Sequence, residues 1–206
     1  VAGQVVYVRG ADYFMMDGKD GLRFMAKQPL GLEAGDLVDA VGYPELSGAA
    51  PVLRGAVARK TGHAALPEPT VLEPDDLIRS ALDATQVRVE GMLQGVKSTR
   101  TNLVLEMQSG SWRFLARLNT TEAAPSLSVG SRLSLTGVYC AQGGLQALGA
   151  DVAPVDILLR QFADITVLAR PPWWTLQRLA VIVALLAGLV LVRVLCSTQL
   201  RRQEPV

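Results

Sequence analysis

Few side chains in this sequence could do covalent chemistry. The one histidine is His63, in Thr61-Gly62-His63, and the two cysteines, Cys140 and Cys196, lie far apart. A catalytic nucleophile needs a base that a third group holds in place, and a tetrahedral metal site needs four ligands. One imidazole and two distant thiols can build neither. His63 therefore reads as a solvated linker residue and Cys140 as a small buried hydrophobe. The run Asp17-Gly18-Lys19-Asp20-Gly21 reads as a tight hairpin turn, because a calcium loop would need more oxygen ligands in register. No catalytic residue, metal or cofactor is expected, and the chain is not expected to be an enzyme in its own right.

Binding chemistry is the remaining possibility. Trp112, Arg113, Phe114 and Arg117 fall in one predicted strand, which puts the two aromatics on one face and the two cations on the other. A single-strand nucleic-acid site needs aromatics and cations together. Residues 1–60 carry seven basic and seven acidic side chains, and residues 85–160 carry seven and five. Neither balance suits a groove that follows phosphates, so nucleic acid is not expected as a partner. Tyr7, Tyr43, Arg54 and Arg100 are the candidate ligand contacts, as polar-tipped side chains near predicted barrel loops.

The elements that would position them come from an internal duplication. Gly3-Gln4-Val5-Val6 matches Gly91-Met92-Leu93-Gln94, an offset of 88. Residues 13–18 match 103–108, and Leu22-Arg23-Phe24-Met25-Ala26 matches Trp112-Arg113-Phe114-Leu115-Ala116, offsets of 90. Leu32 to Val38 matches Leu127 to Leu133, an offset of 95. Each copy reads as five short strands with Gly-rich turns and a Leu-x-x-Gly-(Asp/Ser) turn before the fourth. So small a sheet must curl on itself to hide its edges, which points to an OB-type barrel. Pro74 and Asp75-Asp76 predict a short helix from about Pro74 to Leu82, placed to plug a barrel end, and Ile165–Leu168 predicts one more strand.

Leu179 to Val192 reads LAVIVALLAGLVLV, fourteen residues with no polar side chain. A span needs about 20, and the flanks extend the run. Trp173 and Trp174 supply an interfacial aromatic pair, and Arg178 and Arg193 bracket the run as snorkelling cations. The lipid bilayer is thus an expected partner. The slight excess of arginines after the run puts the C-terminus in the cytoplasm. The N-terminal region is then periplasmic or extracellular, the chain single-pass in the inner membrane, and export needs a signal sequence these residues do not contain.

The expected architecture is mainly β. It comprises a first OB-like barrel (1–60), a Pro-rich linker with a short helix (61–84), and a second OB-like barrel (85–170). A juxtamembrane segment with a transmembrane helix (171–200) and a cytoplasmic tail (201–206) follow.

Arg170-Pro171-Pro172-Trp173-Trp174-Thr175 with Arg178-Leu179 resembles the juxtamembrane signature of bacterial sensor histidine kinases and hybrid kinases in which tandem OB-like domains precede one transmembrane helix. The resemblance implies the sensory and anchoring part of a signal-transduction receptor, with an extracytoplasmic ligand or protein partner and a homodimeric state. Such receptors continue into kinase or cyclase modules. This chain has no phosphoacceptor histidine motif and no nucleotide-binding glycine motif, so kinase activity would belong to a longer parent. The alternative is a membrane-tethered OB protein that binds nucleic acid or a cell-envelope partner.

Overall fold

The computed structural model describes residues 1–47, 50–78, 80–122, 127–141, 152–171, 181, 183–190 and 193. In residues 1–63, β1 (Ala2–Arg9), β2 (Asp12–Asp17), β3 (Asp20–Ala26), β4 (Asp36–Ser47) and β5 (Ala50–His63) form a closed barrel. β1–β2, β2–β3 and β4–β5 are antiparallel, β3–β5 is parallel, and β4 returns to β1 to close the ring. After the short β6 (Thr70–Leu72), the pattern repeats with β7 (Gln86–Ser98), β8 (Asn102–Ser109), β9 (Trp112–Asn119), β10 (Arg132–Ala141) and β11 (Val152–Leu159). β9–β11 is parallel and β10 pairs with β7.

Strand register identifies equivalent residues in the two barrels. Gly3 opposes Val38, and Gly91 opposes Leu133. A Cβ on Gly3 would lie 2.8 Å from the Met16 carbonyl oxygen, and one on Gly91 would lie 2.8 Å from that of Gln108. Both glycines are therefore required by close approach of the neighbouring strand. Gly35 (φ +102°) and Gly130 (φ +87°) precede the fourth strands in the left-handed region, each donating its N–H to the equivalent carbonyl, Val5 or Leu93. The offsets of 88 and 95 thus hold in space. The middle offset does not: Met16 pairs with Gln4 and Gln108 with Met92, so β2 and β8 are offset by 92 (108 − 16), not 90. A two-residue slip keeps every side chain on its face, so hydrophobic alternation could not detect it.

The first core packs Val5, Tyr13, Met15, Phe24, Val38 and Leu53, with Tyr13 stacked on Phe24 at 4.9 Å. The second is larger and takes in Leu77. The short helix expected from about Pro74 to Leu82 is of the 3-10 type over Pro74–Ile78 and Ser80–Leu82. Leu77 enters the second core from them, and its carbonyl accepts the Tyr139 hydroxyl at 3.1 Å.

The first barrel's single strand β5 corresponds to two strands in the second. β5 pairs with β4 along its whole length. β11 pairs with only the distal part of β10, and β12 (Ile165–Ala169) takes over at Arg132–Leu135. Between them Asp164 accepts N–H bonds from Arg160 and Gln161. The predicted strand at 165–168 is thus the second half of the barrel's fifth.

A third cluster joins the barrels. Val6, Tyr7, Phe14 and Met16, on the outside of β1–β2, pack against Ala84, Val138, Cys140 and Leu158 of the second barrel. Tyr7 meets Phe14 edge-on at 5.7 Å, and the Gln86 N–H donates to the Met16 sulfur at 3.1 Å. A methyl group on Gly21 would collide with the Asp83 carbonyl. Each large apolar side chain removed from water here contributes about 1.5–3 kcal/mol, so the seam makes one body of Val1–Arg170.

Residues 171–206 form a separate unit. Residues 183–190 are helical, and Val183, Leu185, Leu186, Leu189 and Val190 are each more than half exposed. Among the described residues no helix is long and apolar enough to cross a membrane. Of the juxtamembrane segment and transmembrane helix expected over 171–200, the described residues 181, 183–190 and 193 are helical. Trp173, Trp174 and Arg178 lie outside the described residues.

Candidate ligand-binding face

The first barrel has no free β2–β3 face. Asp12 to Met16 are buried on both sides, with Tyr13 and Met15 in the core and Phe14 and Met16 in the seam. The equivalent surface of the second barrel is open. β8 and β9 turn Leu103, Leu105, Met107, Phe114, Ala116 and Leu118 inward. Val104, Glu106, Gln108, Arg113, Leu115 and Arg117 alternate outward and remain partly or fully exposed. Cross-strand pairing sets Gln108 opposite Arg113, Glu106 opposite Leu115 and Val104 opposite Arg117.

One end of this face opens into a cleft of about 790 Å³ lined by Arg9, Thr99, Thr101, Asn102, Val104, Arg117, Asn119 and Asp156. Arg9 comes from the first barrel, and all the others from the second. Arg117 Nε donates to Asp156 Oδ2 at 2.7 Å, which sets the guanidinium over the sheet. Arg9 is held by Asp12 at 3.2 Å, and Asp12 also takes Arg23 at 2.5 Å. The Arg23 guanidinium sits 5.3 Å from the Phe14 ring centre, adding a cation–π contact to the seam. Hydroxyls, side-chain amides and two guanidinium groups around a shallow cleft can orient a polar ligand that carries carbonyl, carboxylate or hydroxyl groups.

Four further cations on the barrels are paired. Arg54 meets Glu45, Arg59 meets Asp39, Lys97 meets Glu106, and Arg132 meets Glu90. Such pairing offsets the positive field that phosphate tracking requires.

His63 is not a free linker residue. It ends β5, with Nδ1 2.9 Å from Asp36 Oδ1, and Lys60 Nζ lies 2.6 Å from the same oxygen. Hydrogen bonds from Lys60 and then His63 hold the Asp36 carboxyl down to about 2. The cluster anchors the base of β4 against the end of β5; nothing in its geometry presents a reactive group to a cleft. Burial pushes the Cys140 thiol up to about 11, so it stays neutral in the seam. Among the described residues no group of three or more His, Cys, Asp or Glu side chains could hold a metal ion.

The structure disperses the four ligand-contact residues expected from sequence. Tyr7 is 5% exposed and closed off in the seam. Tyr43 and Arg54 are cross-strand partners on the outer face of β4–β5, and Arg100 is exposed at the β7–β8 turn. Sequence reasoning recognised the segregation of Arg113 and Arg117 from Phe114. It missed Asn102 and Asn119, which pair at the ends of β8 and β9, and Arg9, which only the seam brings beside that face. Their one sequence signal was the contrast between an apolar β2 and an alternating β8.

Five strands, the parallel third–fifth pairing and the fourth-to-first closure now stand in both copies. The fold is OB-like. Neither a family model nor a curated protein matches the chain. Among solved structures it is similar to an asparaginyl-tRNA synthetase from Entamoeba histolytica, at 16% identity and a TM-score of 0.41, over 52% of this chain and 25% of that one. A murine DNA binding protein bound with double-stranded DNA overlaps 84% of this chain and 97% of its own, at 8% identity and a TM-score of 0.40. An OBody bound to hen egg-white lysozyme overlaps 50% and 98%, at 15% identity and a TM-score of 0.39. The chain thus spans about a quarter of the synthetase, and none of these overlaps carries an argument about what it binds.

Proposed function

We propose that the chain is the extracytoplasmic sensory and membrane-anchoring portion of a bacterial signal-transduction receptor whose parent carries a histidine-kinase output. The β8–β9 face and its cleft take a polar ligand or a protein partner. The observation that supports this reading best is mechanical. An apolar seam locks the two barrels together, and β12 remains paired to β10 up to Ala169. In sequence only nine residues (170–178) separate that strand from the apolar run that starts at Leu179. A displacement produced at the cleft would meet little slack before the run. An apolar helix with exposed side chains at 183–190 suits lipid as its surroundings.

The test is cellular. Expressed behind a bacterial export signal, the chain should fractionate with inner membranes, and protease added to spheroplasts should degrade the barrels. Deleting 179–192 should release soluble barrels. Barrels protected from external protease, or full-length protein recovered without detergent, would contradict the reading. In the parent, a flexible Gly/Ser insert in place of Pro171-Pro172 should abolish ligand-dependent output while leaving ligand binding intact.

A further inference from the structure

The outer face of β4–β5 on the first barrel carries exposed apolar side chains. Val41 and Val57 are direct cross-strand partners at 73% and 70% exposure, and Tyr43 beside them is 80% exposed. An acid–base pair closes the strip at each end, Asp39–Arg59 on one side and Glu45–Arg54 on the other, both at 3.1 Å. Both acids stand on β4 and both bases on β5.

The Tyr43–Arg54 end of this strip corresponds to a part of the second barrel that is already an interface. Tyr43 pairs with Arg54 as Val138 pairs with Leu158. Gly42 approaches the Arg54 carbonyl as Gly137 approaches that of Leu158. Val138 and Leu158 are each 1% exposed and lie in the seam. This part of the barrel wall is thus one that packs face to face within the chain, and on the first barrel it stands open.

We infer that the β4–β5 face of the first barrel is a homodimer contact, and that its occupant is the same face of a second copy. Charge placement selects both occupant and orientation. Two such faces can stack about a two-fold axis lying in the interface, either along the strands or across them. An axis along the strands lays β4 of one copy over β5 of the other. Each copy's Asp39 and Glu45 then face the partner copy's arginines, with the valines and tyrosines between. An axis across the strands lays β4 on β4 and sets acid against acid, which the charges oppose. The contact is self-complementary in one orientation only. It depends on neither the ligand nor the receptor reading.

Full-length protein, in detergent if it requires it, should sediment as a dimer. V57D should weaken that dimer at least tenfold, and since Val57 is exposed its thermal unfolding should match wild type when both are measured as monomers at low concentration. A charge swap, D39R/R59D, provides an arm that does not depend on the apolar centre: swapped chains should pair with themselves but not with wild type. Monomeric wild type at all accessible concentrations, a dimer indifferent to V57D, or swapped and wild-type chains that mix freely would each overturn the inference.

Discussion

The two barrels share one topology and differ in the outer surface of the hairpin at their front. In the first barrel this surface presents Tyr7, Phe14 and Met16, all buried in the seam. In the second, the residues at the same register positions are Gly95, Glu106 and Gln108, and the surface is open. Both interiors are built from inward-facing apolar side chains, and the second core is the larger. Both copies keep the barrel, and a few outward positions decide which copy packs this surface into the seam and which leaves it open.

The most severe way to break that contrast is to give the first barrel the second barrel's residue. Phe14→Glu puts a carboxylate where a fully buried ring now sits. It should cost at least the roughly 3–5 kcal/mol of losing the ring, read as a fall in Tm of about 10 °C, with the barrels unfolding separately in calorimetry. Gly21→Ala attacks the same seam through the backbone. Its methyl has no room against Asp83, and overpacking should cost about 1–3 kcal/mol.

A third change tests the base of the first barrel, where the second has Ser131 in place of Asp36. The Asp36 carboxyl is held below its ordinary 3.8, at about 2, by Lys60 and His63. A depressed carboxylate stabilises the fold above its unfolded value, and that contribution fades as pH falls from about 4 to 2. Asp36→Asn should remove the contribution at neutral pH and flatten the stability profile across that window; a wild-type profile already flat there would contradict the assignment. The smallest effect is the reciprocal exchange, Glu106→Phe, which adds a ring to an open face. Stability should change by no more than about 0.5 kcal/mol, while any ligand of the β8–β9 face loses affinity.

Much of this was legible in the residues. Gly3 with Gly91 and Gly35 with Gly130 mark backbone positions that only glycine fills, so they survive duplication where side chains drift. Their offsets read correctly from sequence. The β2–β8 match slipped by two because alternation has a period of two and cannot detect its own multiple. The seam was hidden in plain composition. Tyr13-Phe14-Met15-Met16 is an unbroken apolar run, the mark of a strand buried on both faces, whereas Val104-Leu105-Glu106-Met107-Gln108 alternates as a half-exposed strand does. Phe14 and Met16 declare that something covers them without naming it. The cleft could not be read for the same reason, since Arg9 reaches Asn102 and Arg117 only across the seam.

Calorimetry of the full chain tests the central claim most directly. One body made of two barrels should unfold in a single transition whose van't Hoff and calorimetric enthalpies agree for residues 1–170. Two resolved transitions, one per barrel, would mean that the seam does not couple them.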